Sequence, residues 1–525
     1  MPHVGLLSSF VYPALLSLFG LICLYSLSTF LTQKRKPLPP GPPGLPIIGN
    51  MLLKPKFPPW ETYRDWSKKY GGIMSLTRVS KTTIIINDYS IAQELLDKRG
   101  VNYSSRPQLP VWMNVSRGLN PVGMEYGRLW KTHRGLQASV LQPSMAKKYR
   151  LVEDIESRQV IYELLSTDDF SGVFRRFAGS LFLTLFYGER LPAENDAIRE
   201  LEGYIRRSVE LEEGAFQARA LLGEFFPLIS RIPSLFGSRK KETGAMFNRL
   251  TKIFDDKIRS AQATGAWNIV KELTGRKPVR EMSAMEFSHS IGGLYVASLT
   301  PYQILRILVL GIILHPEAAA KARKEIDDVV GTERLPDFED ASRLPYLMAL
   351  IKEGMRWRTF APVGAERATA QEDEYMGYRI PKDSIIILNH WAMDNDKEAF
   401  GDPENFRPER WLENPDLPET FFGFGLRGCP GRHLSMDSLA IVTSRLLWAY
   451  NINHAYENGK KVIVDAEEAQ KNAVATTIFS VVPDFKASFE IRDAKRRDII
   501  EREWATAEKD ATALLLQMMP ETKLK

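Results

Sequence analysis

The residue with the greatest chemical consequence is Cys429, set in Phe422-Gly423-Phe424-Gly425-Leu426-Arg427-Gly428-Cys429-Pro430-Gly431. A single thiol stands among glycines, just before a helical pattern over 434–449. Glycines let a backbone approach something flat and large. A thiolate near a helix N-terminus gains from the dipole and from free N–H groups, which also tune its electron donation. Arg427 places a cation where an anionic group would sit. Read as cysteine and glycine alone, the same segment is equally a loop around a buried structural thiol.

Three further segments carry charge at defined spacing. Glu353 and Arg356, at i and i+3, share one helix face, in itself a common surface pair. Downstream lies Phe406-Arg407-Pro408-Glu409-Arg410-Trp411. Trp130 and Arg134 are one turn apart in Trp130-Lys131-Thr132-His133-Arg134, and Arg367 closes Pro362-Val363-Gly364-Ala365-Glu366-Arg367. Each arginine alone reads as an ordinary surface residue.

In this order and spacing the segments resemble the cytochrome P450 family: an FGxGxRxCxG haem loop, ExxR, a PERF-like element and WxxxR. The resemblance runs from the proline-rich hinge to about residue 491. It implies a mainly α fold with small β-sheets and haem b held by the Cys429 thiolate, which pushes electron density toward O–O cleavage. It also implies that Glu353, Arg356 and Arg410 form a buried charge network under the loop. Trp130, Arg134, Arg367 and Arg427 are then the partners of the haem propionates, three of them cations for two carboxylates.

One motif departs from the family. The helix over the haem commonly reads [AG]-G-x-[DE]-T-[TS], whose acid and alcohol relay protons. Aligned on Gly292-Gly293-Leu294-Tyr295-Val296-Ala297, this chain has Ala297-Ser298-Leu299-Thr300-Pro301-Tyr302. Thr300 stands for the acid, Pro301 for the threonine and Tyr302 for the following alcohol. Pro301 removes a backbone N–H and clashes one turn earlier, so a kink is expected. Ser298, Thr300 and Pro301 are therefore the candidate catalytic positions. The first reading is a monooxygenase whose protons pass through Ser298, Thr300, water or substrate. The alternatives are a haem-thiolate enzyme of rearrangement, dehydration, coupling or peroxide-fed oxidation, and a haem binder without activity.

These motifs need a large helical body, and 525 residues with 44% hydrophobic and 26% charged side chains supply one. The net charge of +6 does not reach the clustered charge of a nucleic-acid binder. Two cysteines, Cys23 and Cys429, exclude a disulfide framework and a zinc site of paired cysteines. Residues 4–31 are uncharged and exceed the ~20 needed to cross hydrocarbon. Lys34-Arg35-Lys36 follows, which keeps the body cytosolic. The expected plan is a membrane anchor over 1–33, a proline-rich hinge over 34–58, a catalytic domain over 59–491 and a helical extension over 492–525. The anchor points to single-pass residence in the endoplasmic reticulum membrane.

Strands are expected at 75–79 and 82–87, a hairpin over 375–389 turning at Pro381-Lys382-Asp383-Ser384, a strand region over 476–491, and one helix over 493–519 packed on the body. A helix from Pro316 should end at Gly331. By resemblance the cavity is lined from 111–122, 294–298, 361–364 and 478–480, which suits a lipophilic small molecule. The chain carries no flavin or nicotinamide fingerprint, so electrons come from a separate NADPH–cytochrome P450 reductase, with cytochrome b5 a second candidate donor. Arg128, Lys131, Lys147, Lys148, Arg150 and Arg432 are candidate docking cations. Removing residues 1–33 is expected to leave a haem-competent body that carbonate extracts from membranes; continued resistance to extraction would show a second anchor.

Overall fold

The computed structural model describes residues 36–518 apart from 57, 80, 109–114, 195, 214–232, 465–473 and 476–479, together with positions 17 and 20. The expected membrane anchor lies outside the described residues. In chain order, the elements that frame the site are helix α1 (Pro59–Tyr70), strands β1 (Ile73–Arg78) and β2 (Lys81–Ile86), and helices α2 (Arg128–Leu141), α3 (Pro143–Glu163) and α4 (Phe170–Tyr187). There follow α5 (Ala284–Ser298), α6 (Thr300–Leu314), α7 (Pro316–Val330) and α8 (Pro345–Trp357). Next come β3 (Arg367–Ala368), β4 (Asp373–Tyr375), β5 (Tyr378–Ile380), β6 (Ile385–Leu388) and α9 (His390–Asp394). The chain continues through α10 (Arg432–Ala449), β7 (Tyr450–His454) and β8 (Ala487–Ile491) to α11 (Ala494–Thr506) and α12 (Ala511–Leu516).

The centre is built from helices whose sequences are apolar nearly all round. α4 is capped by Asp169, whose carboxylate accepts from the Gly172 N–H at 2.9 Å, and it stops at Gly188 with φ +74°. α10 is buried at every residue from Ser438 to Ala449 and packs against α3. α7 begins at Pro316 and ends before Gly331 with φ +73°, the boundaries expected of its sequence. Residues Ala284–Leu314 are apolar and long enough to cross a membrane, yet 72% of that apolar window is buried in the protein, so they form its core.

Four strands form one sheet in the order β1-β2-β6-β3. β1 and β2 are antiparallel, offset by one or two residues from the expected spans. β6 lies parallel to β2 and antiparallel to β3, with Arg367 opposite Ile386. The expected hairpin through Pro381–Ser384 does not form. β5 pairs instead with β4, with Tyr375 opposite Tyr378. Met376 and Gly377 between them both take positive φ, the geometry that closes a two-residue turn. The apolar run 385–388 is used as an inner strand instead, where both of its neighbours satisfy its backbone.

The expected terminal helix is two helices. Ala507 is extended (ψ 141°), and Asp510 caps a new start by accepting from the Ala513 N–H at 2.9 Å. Ile499, Ile500, Leu514 and Leu515 are buried, and α11 packs on α3.

Glu353 on α8 ties the distant parts of the body together. Its carboxylate accepts from Arg356 Nε (2.9 Å) and Nη2 (2.7 Å), Arg410 Nε (3.2 Å), the Arg407 N–H (2.9 Å) and Trp411 Nε1 (3.0 Å). Glu353 and Arg356 are fully buried, and Arg410 is 2% exposed. Removing the acid leaves the buried Arg356 without a carboxylate and Arg410 with only Asp402, at 3.3 Å. Glu353→Gln is expected to destabilise the protein by about 3–5 kcal/mol, read from chemical unfolding midpoints.

Candidate functional site

The N-terminal side of α10 carries the loop with Cys429. Gly425 takes φ +54°, and a Cβ there would lie 2.0 Å from the Leu96 carbonyl oxygen, so only glycine fits. The Cys429 N–H donates to the Phe422 carbonyl at 2.8 Å, closing the loop on itself. The thiol is partly exposed, and what it faces is a cavity of about 220 Å³. Burial pushes the thiol above its ordinary range, while the Gly431 backbone N–H, Arg134 and Arg432 pull it down.

The opposite wall is the junction of α5 and α6. Leu294, Ala297, Ser298, Thr300, Pro301 and Ile304 line it. The expected kink falls at Leu299, a single residue with φ -79° and ψ -8° between the two helices, and Pro301 lies in the first turn of α6. Ser298 Oγ donates to the Tyr295 carbonyl at 2.7 Å. Thr300 Oγ1 has no hydrogen-bond partner among the described residues. Tyr302 does not face the cavity; it is 2% exposed, and its hydroxyl donates to the Glu202 carboxylate.

Four guanidiniums gather around the loop, and their hydrogen bonds go to backbone carbonyls. Arg134 Nη2 donates to Gly428 O (2.6 Å) and Arg367 Nη2 to Phe424 O (2.7 Å). Arg427 donates to Ser104 O (2.8 Å), Pro121 O (3.0 Å) and Met124 O (2.5 Å), and lies 4.3 Å over the Trp130 ring. Arg106, which the sequence reading missed, donates to Val122 O at 2.8 Å. Burial, then the repulsion of Arg106, Arg367 and Arg134, lowers Arg427 to about 8. Burial followed by Arg106 takes Arg367 to about 9, against a weak opposing pull from Asp97. Arg367 Nη1 is buried with no partner. A dianion with a flat apolar body would relieve this cluster, and haem with two propionates is such a group.

The remaining expected positions divide. Ala361 lines the cavity; Ser480 instead donates its N–H to Phe360 O at 2.8 Å, and 111–114, 478 and 479 lie outside the described residues. Among the docking cations, Arg128, Lys131, Lys147, Lys148 and Arg432 are exposed. Arg150 departs from that reading because its guanidinium is paired with Asp437 at 2.9 Å.

Two more groups were missed. His390 lines the cavity, and burial with Arg367 nearby lowers its ring to about 4. Nothing in its sequence surroundings marks it, because α9 is only five residues long. A polar chain also runs inward from the partly exposed Glu286: His133 Nε2 lies 3.2 Å from its carboxylate, and His133 Nδ1 lies 2.8 Å from Ser290 Oγ. Ser290 is one turn before Leu294, on the same helix face.

A mainly helical body with a cysteine loop and a distal helix facing each other across a cavity, and with arginines gathered around that loop, defines a haem-iron enzyme fold. The sequence model of the Cytochrome P450 family matches residues 39–472, and the chain belongs to that family. It is 45% identical to Cytochrome P450 monooxygenase criE of Aspergillus cristatus, over 97% of this chain and 96% of that protein. It is 44% identical to Cytochrome P450 monooxygenase okaD of Penicillium ochrochloron, over 92% and 91%. Fumitremorgin C synthase of Neosartorya fischeri is 41% identical, over 89% and 90%. A zebra fish cytochrome P450 structure with abiraterone superposes with a TM-score of 0.68 at 20% identity, covering 83% of this chain and all of that one, which shows the fold. The chain is a P450 oxidoreductase of the monooxygenase class.

Asp394 gives the body a pH dependence. It is fully buried, and its carboxylate accepts from Thr359 Oγ1 (2.7 Å) and Thr420 Oγ1 (2.6 Å). Burial raises it to about 7. The unfolded value is about 3.9, so the folded state holds the proton more tightly. Its contribution to stability is complete below about pH 4 and is lost as pH rises through the folded value. Asp394→Asn is expected to flatten the fall in urea midpoint between about pH 4 and about pH 8.

Proposed function

We propose that the chain is a haem b monooxygenase that places one atom of dioxygen into a lipophilic small molecule of fungal specialised metabolism. Cys429 is the iron ligand, and Trp130, Arg134, Arg367 and Arg427 hold the propionates. The observation that carries this is the arginine cluster, whose hydrogen bonds go to backbone carbonyls and whose Arg367 Nη1 is buried without a partner. The relatives, fungal P450 monooxygenases and a fumitremorgin C synthase, support the substrate class. NADPH–cytochrome P450 reductase, with cytochrome b5 as a second donor, would dock at Arg128, Lys131, Lys147, Lys148 and Arg432. Residues 1–33 would anchor the chain in the endoplasmic reticulum membrane, with the catalytic domain, 59–491, in the cytosol and 34–58 as hinge. Residues 492–525 extend that domain.

A bound haem supplies the electron transfer and dioxygen chemistry. The chain supplies the rest. Burial raises the Cys429 thiol above its ordinary range, and Cys429 would hold a bound iron as the thiolate. The apolar wall of Leu294, Ala297 and Ile304 excludes water and seats an apolar substrate. Thr300 Oγ1, without a protein partner among the described residues, is the group that orders water beside Pro301. Ser298 donates to Tyr295 O and retains its lone pairs, so it accepts the next proton in line. Glu286, His133 and Ser290 form a polar chain whose inner end stops one turn before Leu294 on the cavity wall.

A second reading, a non-oxygenating haem-thiolate reaction, is favoured by one observation: the cavity wall from Leu294 to Ile304 carries no carboxylate. Reaction under labelled dioxygen separates the two, since label in the product requires oxygenation and unlabelled product requires rearrangement or coupling. In the oxygenating case Thr300→Val should lower product formed per NADPH by roughly tenfold or more, with the balance appearing as peroxide. The reduced carbonyl complex should show the red-shifted Soret band of thiolate ligation, lost in Cys429→Ala; a band that survives the substitution rejects the ligand assignment.

A further inference from the structure

His390 is a buried cavity-wall side chain with no task in the mechanism above. It is 7% exposed, and its Nε2 has no hydrogen-bond partner. Its ring packs edge-on against Phe424 with centroids 5.8 Å apart. The carbonyl of that same Phe424 accepts from Arg367 Nη2 at 2.7 Å, and Arg367 Nη1 is likewise buried without a partner. Two unsatisfied nitrogens therefore flank one residue of the cysteine loop. The sheet puts them there: Arg367 lies opposite Ile386 in the β3–β6 pair, and the chain leaves β6 directly into α9 at His390. Buried polar groups are usually satisfied in folded proteins, and two exceptions flanking Phe424, His390 on the cavity wall and Arg367 beside it, point to a shared ligand.

We propose that His390 Nε2 and Arg367 Nη1 hold the same haem carboxylate, which makes His390 a cofactor-positioning residue. The proposal rests on the haem reading above. A substrate carboxylate would offer the same chemistry, but the two nitrogens flank Phe424, in the loop that carries Cys429, which favours the cofactor. The Ala361 carbonyl takes the ring's other N–H. Donation from Nε2 then requires the doubly protonated ring, so one proton enters from solvent as the carboxylate arrives. The carboxylate supplies the negative charge that burial and Arg367 otherwise deny the imidazolium. The charged groups around the ring are then Arg367 and the incoming carboxylate.

The test is haem transfer from the ferric holoenzyme to excess apomyoglobin, without substrate, in the parent, His390→Phe and His390→Gln. Phenylalanine fills the space without a polar atom, and glutamine restores a donor. His390→Phe is expected to release haem about tenfold faster, the worth of one hydrogen bond to a charged group, and His390→Gln within about twofold of the parent. Release from His390→Phe at the parental rate, or equally fast release from both variants, overturns the proposal. The propionate-bending band in resonance Raman spectra should also differ between the parent and His390→Gln, where an imidazolium becomes a neutral amide; identical bands overturn the contact whether or not the phenylalanine variant folds. A thiolate-type carbonyl band retained in all three proteins shows that a negative result belongs to His390 and leaves the haem reading standing. Its absence from the parent rejects both.

Discussion

Positive charge concentrated around the cysteine loop, and only partly offset by nearby carboxylates, is the constraint on which the site depends. Arg106, Arg134, Arg367 and Arg427 come from four separate segments and converge on one loop, where their hydrogen bonds go to backbone carbonyls. A carbonyl carries only a partial charge, so it satisfies the N–H geometry without cancelling the guanidinium's charge. Burial and mutual repulsion then make each cation more costly than the last, which is why Arg427 and Arg367 are held far below their ordinary range. Glu366 acting on Arg106 and Asp97 acting on Arg367 offset part of this charge. A bound anionic cofactor would offset more of it, which would link folding to its capture.

The scaffold beneath the loop follows the opposite rule. Glu353 neutralises Arg356 and Arg410 inside the protein, and its two oxygens also accept from Arg407 and Trp411. Every partner is satisfied internally, so this network needs nothing from a ligand. Rigidity there and incompleteness at the arginine cluster are complementary: the site can remain open because its support is closed.

On the distal side, the same residue that removes the usual alcohol reshapes the helix. Pro301 cannot donate to Ala297, and the kink at Leu299 leaves Thr300 facing the cavity while Tyr302 turns away to Glu202. A proton path through this wall would depend on water held at Thr300, since the wall from Leu294 to Ile304 has no acid.

The sequence by itself determined the family, the thiol, the charge network and three of the four arginines, because each sits in a run with fixed local spacing. FGxGxRxCxG, ExxR and WxxxR are short-range patterns, and short-range patterns survive in a string of letters. It also determined the kink before Pro301, since a missing N–H is a property of one residue. Only the tertiary structure decided which strands pair. The run 385–388 has the same local propensity whether it folds back on β5 or inserts between β2 and β3, and the choice depends on burial from both faces. Arg106 and His390 were invisible for the same reason: their partners lie far away in the chain, and nothing adjacent to either signals a role. Arg150, a cation like its neighbours in sequence, left the docking surface only because the fold brought Asp437 beside it. Spacing along the chain fixes what a residue can do, whereas its neighbours across the fold decide whether it does so.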